Sequence, residues 1–193
     1  MQIHDIRGFC NFDDLYTAQV DRAVGGEVFV ELGSLWGRST ARMAQLIRDS
    51  KKDIKFYAVD FWDLRGITGG VWSEEDLQWA RSMGVEESPD MCYQTMLLTL
   101  SRLGLTNYVT PIKLSTREAY KLFADASLDF VFIDADHSYE GVLEDIQLWH
   151  PKVKTGGVLA GHDYDWTGVK QAVIDFFVAK PVYIQNTSWL VKK

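Results

Sequence analysis

Cysteine is scarce in this chain. Cys10 and Cys92 are its only two in 193 residues, too far apart for a C-x-x-C pair and too few for the disulfide framework of a small secreted domain. A reducing, cytoplasmic setting is expected. The four prolines are scattered, and no internal repeat, low-complexity tract or Pro/Gly/Ser-rich linker breaks the chain, so one continuous domain over residues 1–193 is expected. No apolar run approaches the ~18 to 20 residues that a membrane span requires. Met1-Gln2-Ile3-His4-Asp5 lacks a basic segment leading into an apolar one, so no secretion signal is expected. Positive charge is in deficit as well: 20 Lys and Arg stand against 27 Asp and Glu, a net charge of −7. The electrostatic footprint of a nucleic-acid or anionic-membrane binder is missing, which points to a small-molecule partner.

What is present is ample apolar material, 47% of the residues, in a chain long enough to hide roughly 70% of the surface its unfolded form exposes. From Asn11 to Val24 the apolar residues recur at helical spacing up to Gly25-Gly26. The period then switches. Val28-Phe29-Val30-Glu31-Leu32 reads as a strand buried on both faces, and a helix follows with Ser39 or Thr40 near its start. The strand pattern recurs at 56–60, 108–112, 128–134 and 157–161, with helical patterns at 91–103, 116–124, 140–149 and 168–179 between them. Such alternation predicts a doubly wound α/β sheet. Ligands in these sheets bind beyond the carboxyl ends of the strands, and three of the strands end in polar residues: Asp60, Asp134 and His162-Asp163.

Three motifs carry the chemistry. Glu31-Leu32-Gly33-Ser34-Leu35-Trp36-Gly37-Arg38-Ser39 sits at a strand-to-helix turn, where glycines let a ligand approach the backbone N–H groups. Leu35 stands where dinucleotide-binding enzymes carry their second glycine, which argues against NAD. An ordinary capped turn is the competing reading. Asp60 follows Gly37 by 23 residues, close to the ~20-residue offset of a ribose-binding acid; an isolated Asp there is more often a helix cap, but the pairing with the glycine turn favours the ribose reading. In Asp134-Ala135-Asp136-His137-Ser138-Tyr139-Glu140-Gly141-Val142, a strand delivers Asp134, and a short turn brings Asp136 and His137 beside it. That pattern combines a metal ligand with a general base, or else Asp136 or Ser138 simply caps the next helix.

With Gly161-His162-Asp163-Tyr164 added, these motifs resemble the class I S-adenosylmethionine-dependent methyltransferases, in the branch similar to macrolide-sugar and cephalosporin O-methyltransferases. The resemblance covers about residues 27–193. It implies a Rossmann-like, seven-stranded, mostly parallel sheet with helices on both faces, closed by an antiparallel hairpin at 181–184 and 188–191. It also implies that Glu31 and the loop Gly33, Ser34, Gly37 and Ser39 hold the methionine part of S-adenosylmethionine. Asp60 would bind the ribose, and Trp62 or the Leu114-Ser115 turn would flank the adenine. Asp134, His162 and Asp163 would take a divalent metal (Mg²⁺ or Mn²⁺), although His162 offers nitrogen where such relatives offer oxygen. His137 matches the base, with Asp134 beside the chemistry.

The implied reaction is methyl transfer to a small-molecule acceptor, at a hydroxyl oxygen. An NAD-dependent oxidoreductase and a non-catalytic nucleotide-binding or assembly module stand as alternatives. Residues 1–26 read as a helical extension. Residues 61–89, with Trp62, Arg65, Gly66, Gly69-Gly70, Trp72 and Trp79, read either as a lid over the acceptor or as a helical insertion packed on the domain. Either apolar addition is a candidate face for a homo-oligomer.

Overall fold

The computed structural model describes residues 1–63, 72–178 and 180–193. One seven-stranded sheet runs through it. Its strands are β1 (Glu27–Leu32), β2 (Ile54–Asp60), β3 (Thr110–Lys113), β4 (Leu128–Ile133), β5 (Val153–Gly161), β6 (Tyr183–Gln185) and β7 (Ser188–Lys192), in the order β3-β2-β1-β4-β5-β7-β6. The first five are mutually parallel, while β7 runs antiparallel to both β5 and β6. This is the Rossmann-like, mostly parallel sheet with a C-terminal hairpin that the sequence predicts.

The helices are α1 (Asp13–Arg22), α2 (Arg38–Ser50), α3 (Glu74–Ser82), α4 (Met91–Arg102), α5 (Thr116–Ala119), α6 (Tyr139–Trp149) and α7 (Thr167–Phe176). They cover both faces, because successive strand residues point to opposite sides and neither side is left to water. Phe29, Phe130 and Phe132 pack in one apolar layer with Tyr16, Met43 and Met96, whereas Val30, Leu32, Val131 and Ile133 pack in the other with Ile146, Trp149 and Val173. Among the described residues no helix is long and apolar enough to cross a membrane.

Local chemistry moves several boundaries. Helix α2 begins at Arg38, with left-handed Gly37 (φ +84°) as its cap, and Ser39 and Thr40 lie inside it, buried. Helix α5 stops at Ala119 and tightens into a 3₁₀ turn over Tyr120–Leu122, because Phe123 turns extended to pack on Tyr57 and Trp149. Strand β3 starts at Thr110 after a 3₁₀ turn at Thr106–Tyr108, and its Pro111 is tolerated on an edge strand that has a partner on one side only. The helix expected over 168–179 ends at Phe176, and Ala179 lies outside the described residues.

Of the segment 61–89, residues 64–71, and with them Arg65, Gly66 and Gly69-Gly70, lie outside the described residues. The remainder contains α3, started by a capping box between Ser73 and Asp76 and packed through Ala80, Trp72, Trp79, Met83 and Val85. Chain direction across the sheet reverses between β1 and β4, so the carboxyl ends of β1, β2, β4 and β5 open onto one edge at the topological switch point.

Candidate active site

The turn after β1 is held from below. Gly33 has φ +89°, and a Cβ there would collide with the Asp134 carbonyl, so only glycine lets the β1 turn lie against the end of β4. Asp60, at the end of β2, organises the same turn. Its Oδ2 accepts the backbone N–H groups of Ser34 (2.8 Å) and Leu35 (2.9 Å), and its Oδ1 accepts that of Trp62 (2.6 Å). Burial pushes the Asp60 pKa above its ordinary range, against the pull of these backbone donors. The Trp62 indole N–H donates to the Leu35 carbonyl at 3.0 Å, and the ring, 1% exposed, packs on Tyr93. Trp62 therefore braces the turn rather than presenting a free face to a ligand.

Glu31 lies deeper still, 1% exposed. Its carboxylate accepts hydroxyl hydrogen bonds from Tyr16 of α1 (2.8 Å), from Ser34 (3.1 Å) and from Thr40. The two hydroxyls expected to cap α2 thus fall inside the helix, with that of Thr40 turned to this acid. Burial raises the Glu31 pKa to about 7, with the Thr40, Ser39 and Tyr16 hydroxyls opposing the rise. Ser115 stands apart from this network, with its hydroxyl on Glu118 at 2.7 Å in a capping box at the end of β3.

The second group converges at the ends of β4 and β5. His137 Nε2 lies 2.8 Å from Asp163 Oδ2 and 3.4 Å from Asp134 Oδ1, and its ring rests against Trp166 at 5.2 Å. Its pKa is raised, foremost by Asp134, with the nearer Asp163 adding in the same direction. His162, only 8% exposed, turns Nδ1 toward Asp163 Oδ1 (3.2 Å) and Asp134 Oδ1 (3.5 Å). Ligand atoms of Asp134, His162 and Asp163 all lie within 4.8 Å of one another. Burial works to lower the His162 pKa, but the two carboxylates outweigh it and raise it; burial also raises that of Asp163. The capping reading holds for the neighbours: the Ser138 hydroxyl caps α6 by accepting the Gly141 N–H, and Asp136 accepts the Ser138 N–H.

The structure thus gathers Glu31, Gly33, Ser34, Gly37, Ser39, Asp60 and Trp62 around one turn, and Asp134, His137, His162 and Asp163 beside it. Sequence reasoning missed Asn11, Tyr16, Thr40 and Thr187. Asn11 and Thr187 approach His162 Nε2 at 2.6 and 2.9 Å across separations of 151 and 25 residues, which leave no local pattern to read.

A glycine turn at the switch point, acids at the ends of β1, β2 and β4, and an antiparallel closing hairpin define a Rossmann-like α/β protein with its chemistry at the strand ends. The family described as a methyltransferase domain matches residues 30–164, and the chain belongs to it. No curated protein sequence matches. Among solved structures, the fold is similar to that of the O-methyltransferase NovP (15% identity, TM-score 0.69, covering 94% of this chain and 78% of that one). It is also similar to CalS11, a TDP-rhamnose 3′-O-methyltransferase of calicheamicin biosynthesis (15%, 0.59, 93% and 76%). An rRNA methylase from Streptococcus thermophilus is similar as well (17%, 0.58, 93% and 94%).

Proposed function

We propose that this methyltransferase uses S-adenosylmethionine to methylate a hydroxyl oxygen of a small-molecule acceptor. The observation that carries the reading is His137, one-third exposed, hydrogen-bonded to two carboxylates immediately beside the glycine turn. The donor set suits the cofactor. Carboxylates gathered around a turn fit a cation that brings hydroxyl and ammonium donors, and Gly33 lets that turn lie directly against the end of β4. Gly33, Ser34 and Gly37 would hold the methionine part, Asp60 the ribose side, Ser115 the adenine edge, and Asp134 the rim next to the methyl. Glu31, Ser39 and Trp62, all buried, brace that surface from beneath.

When bound, the cofactor supplies a methyl group activated on a sulfonium. His137 Nε2–H faces Asp163 and Asp134, which leaves Nδ1 to take the acceptor hydroxyl's proton, and the two carboxylates stabilise the resulting imidazolium by charge-assisted contacts. Asp134, His162 and Asp163 fit a divalent cation, which would lower the acceptor's hydroxyl pKa. The net charge of −7 favours a small acceptor over a polyphosphate chain.

Thermal unfolding with S-adenosylmethionine, S-adenosylhomocysteine and NAD tests the cofactor. A ligand at about 100 times its Kd stabilises by about 2.7 kcal/mol. Stabilisation by the two adenosyl sulfur compounds is expected, and stabilisation by NAD alone would overturn the proposal.

A further inference from the structure

We infer that Asn11 and Thr187, from opposite ends of the chain, fix His162 as a nitrogen ligand and so tune the strand-end cluster to a first-row transition cation rather than Mg²⁺. The inference rests on the cation site proposed above and adds its selectivity and the residues that set it. His162 Nε2 lies 2.6 Å from Asn11 Oδ1, an oxygen that only accepts, so this nitrogen carries the ring proton. In the same orientation the amide's Nδ2 donates to Thr187 Oγ1 at 3.2 Å, and that hydroxyl oxygen lies 2.9 Å from His162 Nε2.

With Nε2–H committed, Nδ1 of the neutral ring offers a lone pair, and it faces two more acceptors, Asp163 Oδ1 at 3.2 Å and Asp134 Oδ1 at 3.5 Å. Either a proton on Nδ1 or a cation among the three atoms answers this arrangement, and the distances favour the cation. Both distances exceed the ~2.7–2.9 Å of a charge-assisted hydrogen bond. They lie within about 0.1 Å of the ~3.0–3.4 Å separation of neighbouring ligands around a cation bound at about 2.1 Å. The ring is 8% exposed and packs against Phe12, so it is held in place. His137 holds the other oxygen of Asp163 at 2.8 Å, which leaves Oδ1 for the cluster. Mg²⁺ prefers an all-oxygen shell, whereas imidazole nitrogen favours later first-row cations such as Co²⁺ or Zn²⁺.

The test is calorimetric titration of the chelator-stripped full chain with Co²⁺ and, separately, with Mg²⁺, together with the visible absorption of the Co²⁺ form. One Co²⁺ site, at least about tenfold tighter than Mg²⁺, is expected. Asn11→Ala, at an exposed position, is expected to weaken Co²⁺ by about 10- to 100-fold with Mg²⁺ unchanged, while Asn11→Asp, which keeps an acceptor, retains Co²⁺ affinity. His162→Asn is expected to narrow the preference and shift the Co²⁺ bands. Equal affinity for the two cations, or loss of Co²⁺ binding in Asn11→Asp equal to that in Asn11→Ala, would overturn the inference. Absence of any cation binding would overturn it too, by showing His162 to be an imidazolium paired with its carboxylates. S-adenosylhomocysteine binding measured on the same sample separates these failures from failure of the methyltransferase reading.

Discussion

In the proposed mechanism, His137 is the residue on which the chemistry turns. Its ring is open to an acceptor on one side and tied to Asp163 and Asp134 on the other, so truncation removes the proton acceptor and leaves the glycine turn intact. In His137→Ala, turnover is expected to fall by about 10² to 10⁴-fold with the affinity for S-adenosylhomocysteine unchanged, as read by steady-state kinetics and titration. Unchanged turnover would remove His137 from the mechanism. Glu31 makes a second prediction through linkage. Its folded pKa of about 7 lies above its ordinary 4.5, so the folded chain binds more protons than the unfolded chain between those values. The stabilisation from this group is complete below pH 4.5 and lost as pH rises through 7. Glu31→Gln cannot ionise. Its stability relative to the parent, from urea midpoints, is therefore expected to improve between pH 5 and pH 8; a pH-independent difference would show Glu31 charged throughout. Asp134, His137, His162 and Asp163 were legible because strand ends can be read from apolar runs. Tyr16 and Asn11 were not, because what makes them matter is a partner far along the chain, Glu31 or His162.

Strands were the most legible elements, since a strand buried on both faces leaves an unbroken apolar run, and β1, β2 and β4 fall within two residues of their expected limits. Helix ends were less so. Ser39 and Thr40 look like caps, but a buried acid beneath them claims the Thr40 hydroxyl, and a left-handed glycine takes the capping position. Helix α3 shows the same dependence on distant partners. Arg7, from the N-terminal segment, pairs with Asp76 and Glu75 (3.0 Å) and reaches the Ser73 hydroxyl (3.3 Å), so it latches the start of α3 to the body. Asp76 is held below its ordinary pKa range despite burial, by hydrogen bonds from Ser73 and Arg7. Exposed ion pairs contribute little singly, and this partly shielded one is worth about 1 kcal/mol. Arg7→Ala is therefore expected to speed amide hydrogen exchange across Glu74–Ser82 while the β1 and β4 amides keep their protection; equal protection in α3 would show that apolar packing alone holds the helix.

At the scale of the whole molecule, both ends of the chain return to one edge of the sheet. Asn11 and Thr187 meet over His162, and the Tyr164 N–H donates to the Thr187 carbonyl at 2.8 Å, so the extension and the hairpin close the site that the central strands open. The charge is arranged to match. Asp60, Asp134, Asp136, Asp163 and Asp165 all lie at or just beyond the carboxyl ends of β2, β4 and β5, where the proposed acceptor would arrive. A nucleic-acid acceptor would bring its phosphates against these carboxylates, in a protein whose net charge is already −7. Affinity for such a chain comes largely from counterions released by Lys and Arg contacts, and here the edge offers acids instead. Although one similar fold belongs to an rRNA methylase, titration of a fluorescent ribosomal RNA fragment at low salt is expected to show no saturable binding. Saturable binding that weakens steeply with added salt would place a basic face next to the site and overturn the small-molecule acceptor.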